Sequence, residues 1–511
     1  MFNRSNKSSK VFIILGAGIT GLVFLILLFL TFFTLKYYFS PDAIEDAHLD
    51  DLVIIPVSIG VIVLSFVLGK ALKAARKKIK FLDWLIVCVL TLIWSYITIK
   101  FVTGAKEQPG SDSYACFVLA KQFLNLDYSA VVPKDSYLSL WPFQTGFIFI
   151  LEKMMRIFNT TDPIFFQIVN VLYCALGMIS GYGILREYTD REELMIIYML
   201  VAFSDFILGI ECVEVYGNIP CFQLMVFATW MFIRAYKSRH KIGTIVYMLL
   251  CGGATILASV YKGNAKIFVI ALCITGLFMF IKDRSRWKQL VVILIISVIS
   301  LSAVKVTCAY YEKYAGNTMG KGVPAVAFIA MGLQEGGGWN GFHANTYMET
   351  GYDYDATVKI SKDNIKESLK GYSNDPAKAA KQIYGKSISQ WCYESRGAFW
   401  SVNAIWKEPR SDFALRVING DLKNIICNIA NVRLGIIYII LLMGTFMAFV
   451  RIIRDEFDDT VYLGLIFFIG GYIFSMIWEA HTGYLLPYVM VLFPMLLPTI
   501  FNRMKKVQNV Q

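Results

Sequence analysis

Apolar runs long enough to cross a lipid bilayer recur along the whole of this chain. They fall at 11–35, 52–69, 82–103, 142–158, 164–185, 194–211, 218–235, 243–260, 266–281, 289–309, 433–451, 461–478 and 484–501. A helix needs about 17–25 such residues to span the hydrocarbon core. The pattern therefore predicts an all-α polytopic membrane protein. The first run, Val11 to Leu35, is too long for a signal-peptide core and reads as a retained span. Composition agrees, with 57% of the 511 residues hydrophobic and 17% charged. That balance excludes an ordinary soluble globular domain.

Lys and Arg in short loops set the orientation. Arg4, Lys7 and Lys10 place the N-terminus in the cytoplasm, and the acidic loop Pro41 to Asp51 lies outside. The basic stretch KALKAARKKIK is inside again, so the segment after the third span, which carries Asp112, is external. RAYKSRHK (234–241) must also be inside. Only an even number of crossings then fits between Asp112 and the external residue Glu211, yet three apolar runs lie there. The run 142–158 is short and carries Glu152, Lys153 and Arg156. It is expected to be an amphipathic helix on the outer surface. About twelve spans remain, with both termini cytoplasmic and KDRSRWK, RIIRDE and RMKK inside. The net charge of +12 mostly reflects this bias. It suits anionic membrane lipid, and no nucleic-acid motif accompanies it.

From Tyr310 to Asn431 the chain is polar and carries Gly336-Gly337-Gly338. It is expected to form a mainly helical external domain of roughly 120 residues, an ordinary domain size. ATVKISKDNIKESLKGY and PAKAAKQIYGKSI read as its exposed helices. The organisation is thus three spans (1–103), an external loop with juxtamembrane helices (104–163), a six-span core (164–309), the large external domain (310–432) and three last spans (433–511). The ten cysteines show no paired spacing and no metal-ligand pattern, so free thiols are expected.

The polar investment lies on the predicted outer face. Asp112, in PGSDSYACFVLAKQFL, stands at a helix start, where a carboxylate can cap the helix or act as a base. KDSYLSLWPFQTG supplies Tyr137, Trp141 and Gln144, either interface aromatics and their neighbours or the wall of an acceptor or lipid pocket. Glu211, Glu214, Tyr216 and Asn218, in IECVEVYGN, cluster where another span emerges. The spans are mostly bare of charge, with Asp205, near the outer half of its helix, a partial exception that either faces water or a neighbouring helix or serves function. Lys262 and Arg433 sit at outer helix ends, where they either snorkel or meet a phosphate. Arg396 and Arg410 are loop cations. WEAHTGYLLPY places Glu479, His481 and Tyr484 in the last external turn.

These pieces, in this order, resemble the GT-C superfamily of integral-membrane glycosyltransferases, which includes protein O-mannosyltransferases and lipid A aminoarabinose transferases. Asp112 matches the Asp early in the first long external loop, and YLSLWPFQTGFIFILEKMMRIF resembles the following juxtamembrane helix. AFIAMGLQEGGGWNGF, KSISQWCYE and WEAHTGYLLPY resemble segments of Gram-positive bacterial members. The likeness is nearly full length, apart from two additional N-terminal spans. It implies transfer of a sugar from a polyprenyl-phosphate donor to a hydroxyl on a cell-wall polymer, glycolipid or protein. Asp112 would be the general base, the reaction would invert the anomeric carbon, and Lys262, with Arg433, would hold the donor phosphate. Asn218 departs from the pattern, standing where an acid is common, and Glu211 or Glu214 is the candidate replacement. Gly483, before Tyr484, stands where Arg is common. No cofactor is certain, although some relatives use a divalent cation. The alternatives are a cell-surface polysaccharide polymerase or ligase, and a lipid-linked oligosaccharide flippase or transporter. The latter should line several spans with ionisable residues and often repeats its halves.

Overall fold

The computed structural model describes residues 2–37, 54–394, 399, 402, 409–454, 456–480 and 486–501, and among them there is no β-strand. Three long helices, α1 (Phe2–Tyr37), α2 (Ile54–Arg76) and α3 (Leu82–Ala105), precede the short α4 (Ser111–Leu124), α5 (Tyr137–Leu140) and α6 (Thr145–Phe158). Next come α7 (Pro163–Tyr188), α8 (Glu192–Phe203), α9 (Phe206–Glu211), α10 (Asn218–Lys237), α11 (Lys241–Tyr261), α12 (Ala265–Lys282) and α13 (Trp287–Ala315). The polar stretch holds α14 (Ala325–Leu333), α15 (Phe342–Glu349), α16 (Tyr354–Asn374), α17 (Pro376–Trp391) and α18 (Asp412–Ile418). Then follow α19 (Asp421–Ile453), α20 (Val461–Ile477) and α21 (Leu486–Leu496). The acidic loop 41–51, Arg396 and the basic tail 503–506 lie outside the described residues.

Nine of the described helices are long and apolar enough to cross a membrane: α1, α2, α3, α7, α10, α11, α12, α13 and α19. Two shorter apolar helices cover Val461–Ile477 and Pro487–Ile500. Leucines, isoleucines and valines such as Leu25, Leu92, Leu249 and Val298 stand exposed on their outer faces. An apolar solvent accepts such faces without cost, so helix association depends on close packing rather than on hydrophobic expulsion. Small residues make that packing possible. A Cβ at Gly183 on α7 would lie 2.3 Å from the Trp230 ring on α10, and one at Gly471 on α20 would lie 2.3 Å from the Tyr488 ring.

Two segments depart from simple spans. The expected continuous helix over 194–211 is broken between α8 and α9, because the Asp205 carboxylate turns back to accept from Leu208 N at 3.0 Å and caps α9. The run 142–158 splits into a 3-10 turn (Pro142–Gln144) and α6. At 14 residues, α6 reaches about 21 Å, short of the roughly 30 Å of hydrocarbon a span must cross. Its charges are also satisfied within the protein. Buried Glu152 accepts from Tyr311 Oη (3.0 Å) and pairs with Lys153 and Arg156 (both 3.0 Å), and Lys153 also donates to Tyr310 Oη (2.9 Å). Phe147, Ile148, Leu151 and Met155 form its buried face.

The two ends of the bundle differ. At one end Asp83 is buried between Arg76 (3.4 Å) and Arg186 (3.3 Å) and accepts from Tyr182 Oη at 2.6 Å. There Lys237 pairs with Asp458 at 2.8 Å and Lys282 with Asp459 at 2.9 Å. The other end gathers α4, α5, α6 and α14 to α18. Buried Arg410 pairs with Glu107 at 2.5 Å, fastening the polar domain to the segment after α3. Lys386 on α17 is buried and donates to three backbone carbonyls, those of Gly332 (2.8 Å), Met476 (2.9 Å) and Trp478 (2.5 Å).

Gly183→Ala is expected to cost about 1–3 kcal/mol by overpacking against a rigid indole. Gly253→Ala on α11, where a Cβ meets nothing within 4 Å, is expected to leave stability unchanged or raise it slightly through helix propensity. Thermal unfolding of both variants in one detergent checks the pair.

Candidate functional site

The second end of the bundle brings several candidate residues into one group. Asp112 lies exposed in the first turn of α4, whose N-cap, Gly110, supplies no side-chain cap. Ser111, just before it, is held at φ 51°, a left-handed conformation uncommon for a residue with a Cβ. Asp112 Oδ2 accepts from Tyr216 Oη at 3.4 Å, and Gln144 Nε2 donates to that same hydroxyl at 2.5 Å. The Lys262 ammonium stands 3.5 Å from the centre of the Tyr216 ring, a cation–π contact. Tyr216 therefore touches α4, the turn before α6 and the end of α11 at once.

Close backbone approaches fix this arrangement. A Cβ on Gly217, next to Tyr216, would come 2.3 Å from Tyr261 O, and a Cβ on Gly146 would come 2.2 Å from Val260 O. Both neighbours are main-chain atoms just before Lys262 and cannot step aside. Side-chain amides hold the other approach. Gln167 donates to Glu107 O (3.0 Å) and Val213 O (2.8 Å), and Asn170 donates to Cys212 O (3.1 Å) and Glu214 O (2.8 Å). The loop carrying Glu214 is thereby set on α7.

The electrostatics follow from burial. Removal from water pushes the Lys262 ammonium below its ordinary 10.5, while nearby Glu214 and Asp112 oppose the fall. Burial raises the Glu214 carboxyl, with Lys262 opposing and Asp112 adding to the rise. Cys116, on the same helix as Asp112, is pushed up to about 12 by burial, although its contact with Tyr137 Oη at 3.7 Å works the other way. It is a thiol at neutral pH and no nucleophile. The helices α10 and α12 begin just after Tyr216 and Lys262. Neither start has a side-chain cap among the described residues. The first-turn N–H groups of α12 donate to the Lys262, Gly263 and Asn264 carbonyls, so the start of α10 is the one that adds positive potential beside the ammonium.

The remaining candidates fall elsewhere. Arg433 does not join Lys262. It is buried and paired with Asp205 and with Glu394, the latter at 2.5 Å. A guanidinium engaged by two carboxylates has little charge left for a phosphate. Glu211 ends α9 between these two groups, near Asp205, Glu214 and Glu394. Asn218 opens α10, and its Oδ1 is buried with no hydrogen-bond partner among the described residues. Trp141 packs 5.2 Å from His343 and 5.8 Å from Phe328, ring to ring. Glu479 lies beside Lys386, and Arg410 is the buried partner of Glu107. His481 and Tyr484 lie outside the described residues. Among the described residues, no three His, Cys, Asp or Glu side chains are grouped to hold a metal ion. Tyr216 appeared in sequence only as one member of a polar cluster. VEVYGN marks it by position, but nothing there signals that its hydroxyl would link Gln144 to Asp112.

Replacing Arg433 by Met is expected to destabilise the protein by about 3–5 kcal/mol, because Asp205 and Glu394 would remain buried and unpaired. The triple variant carrying Met at 433, Asn at 205 and Gln at 394 is expected to recover much of that loss. Chemical unfolding in detergent checks both.

Comparison with known proteins adds the following. None of the curated proteins matches the chain. A crystal structure of the Archaeoglobus fulgidus oligosaccharyltransferase, tethered to an acceptor peptide containing the NVT sequon, is similar at 11% identity and a TM-score of 0.43. The match covers 82% of this chain and 50% of that one, so the chain spans about half the length of the archaeal enzyme. Residues 12–501 match the family described as conserved hypothetical integral membrane protein. With its long apolar helices and a match over nearly all its length, the chain belongs to that family of integral membrane proteins.

Proposed function

We propose that this chain is a GT-C-type glycosyltransferase that moves a sugar from a polyprenyl-phosphate donor to an acceptor hydroxyl at the outer membrane face. The observation that carries this reading is the Gln144–Tyr216–Asp112 hydrogen-bond chain with the Lys262 ammonium on the Tyr216 ring. It sets an exposed carboxylate beside a half-buried cation at one end of a membrane bundle.

The chemistry follows from the two charges. The acceptor hydroxyl gives its proton to the Asp112 carboxylate as its oxygen attacks the anomeric carbon. The bond from that carbon to the donor phosphate oxygen breaks on the opposite face, so configuration inverts. The departing phosphate gains negative charge, which Lys262 and the uncapped start of α10 stabilise. Tyr216 is a positioning residue. It donates to Asp112 Oδ2 while Gln144 donates to it, which aims one carboxylate oxygen and leaves the other for the acceptor. With no grouped metal ligands among the described residues, no step is routed through a metal. The cell-envelope acceptor is a wall polymer, a glycolipid or a protein.

Asp112→Asn keeps the shape and removes the base. It is expected to lower kcat by about 10²–10⁴-fold in transfer assays on membranes containing polyprenyl-phosphate sugar. Full activity in a folded, inserted Asn variant would end the catalytic assignment.

The second expectation concerns pH. Transfer requires charged Lys262, whose burial lowers its proton affinity. The alkaline limb of kcat/KM is therefore expected below pH 10.5. Lys262→Arg, charged throughout, is expected to abolish that limb while lowering the plateau. An unchanged limb in the Arg variant would show that another group titrates there.

A further inference from the structure

A wall of aromatic rings runs from the polar domain to the candidate site. Trp339 is 70% exposed and meets the His343 imidazole edge-on, with centroids 6.4 Å apart. His343 then packs 4.5 Å from Phe328 and 5.2 Å from Trp141. Trp141 lies 6.0 Å from Phe143, which is 40% exposed. The residue after Phe143 is Gln144, which donates to Tyr216 and through it reaches Asp112. The wall thus ends where the proposed base begins.

Its outer rim is made of neutral amides. Asn340 Nδ2 donates to Gln334 Oε1 at 2.6 Å, and Asn340 Oδ1 accepts from Phe342 N at 3.0 Å. The loop between them turns through Gly336, Gly337 and Gly341, at φ 82°, 61° and 80°. Glycines hold Trp339 outward there at little steric cost. Behind that indole, His343 is 1% exposed, and its Nδ1 has no hydrogen-bond partner among the described residues. Burial pushes this imidazole down to about 4, so it is a neutral ring that backs the exposed indole.

The exposed Trp339 indole and the amides beside it suit a neutral polyhydroxylated ring. A sugar offers C–H groups to an aromatic face and hydroxyls to the rim. A lipid tail would leave the amides unused. We propose that exposed Trp339 and Phe143, backed by buried His343 and half-buried Trp141, form a saccharide subsite that holds the acceptor's glycan chain while its hydroxyl reaches Asp112. The acceptor is then a carbohydrate polymer or a glycolipid headgroup and not a protein side chain. This rests on the glycosyltransferase reading for the role of the bound chain, though sugar binding itself does not depend on catalysis.

The test uses the full chain in lipid nanodiscs, titrated with maltohexaose, cellohexaose and hexa-N-acetylchitohexaose. Binding is followed by tryptophan emission and by calorimetry. At least one sugar is expected to bind saturably, with affinity falling at least tenfold in Trp339→Ala and in Phe143→Ala. Asp112→Asn is expected to bind that sugar as wild type does. The exposed Trp339 side chain leaves the unfolding midpoint unchanged on removal, which separates lost binding from lost fold. Binding by none of the three sugars, or equal binding by both alanine variants, would overturn the subsite. So would emission quenching by brominated phosphatidylcholine that disappears in Trp339→Phe, because it would place the indole in lipid. An active Asp112→Asn enzyme that still binds sugar would remove the catalytic reading and leave the subsite standing.

Discussion

The close approach of α6 to the end of α11 sets the geometry at this end of the molecule. Gly146 brings the α6 backbone against the Val260 carbonyl at a distance no side chain allows. Glu152, lower on the same helix, is then held by Tyr311, Lys153 and Arg156. The two contacts fix both position and rotation of α6. Gln144, just before the helix, therefore has one place to be, under the Tyr216 hydroxyl. In lipid, where helices gain little from hiding apolar surface, such backbone contact and satisfied charge do the work that a hydrophobic core does in water.

Much of this architecture was legible from residue patterns. The apolar runs at 82–103, 164–185 and 218–235 became α3, α7 and α10 because a bilayer allows a long apolar segment few alternatives. Parity of crossings marked 142–158 as exceptional, and its three charges gave the physical reason. Asp112, Gln144 and Lys262 were visible as polar residues at helix ends, and the fold brings them together through Tyr216. Arg433 shows the limit of such reasoning. From sequence it is a cation at a helix end, but its partners Asp205 and Glu394 are distant in the chain. No local pattern announces an ion pair between three separate elements. The break between α8 and α9 was hidden for the same reason, since Asp205 reads as one acid in an apolar run until its capping bond and its Arg are seen.

Charge balance across the site has its own consequence. Lys262 and Arg433 are the cations close to Asp112, Glu214, Glu211, Asp205 and Glu394. Burial opposes ionising Glu211, Glu214 and Glu394, each of which holds its proton more tightly than an exposed carboxyl. The ammonium on the Tyr216 ring thus sits in a region short of positive charge. An anionic ligand placed beside Lys262 would meet these carboxylates as well, which favours ligands that approach from the uncapped start of α10.

Lys386 ties parts that the chain keeps far apart. Its three acceptors lie at the ends of α14 and α20, where helix carbonyls point outward without partners of their own. One ammonium therefore rivets the polar domain to the end of a bundle helix. That domain has no freedom to swing at this corner without pulling α20 with it or stripping three carbonyls at once. With the Arg410–Glu107 pair at another corner, the polar domain is held to the bundle by two buried cations, one on backbone carbonyls and one on a carboxylate.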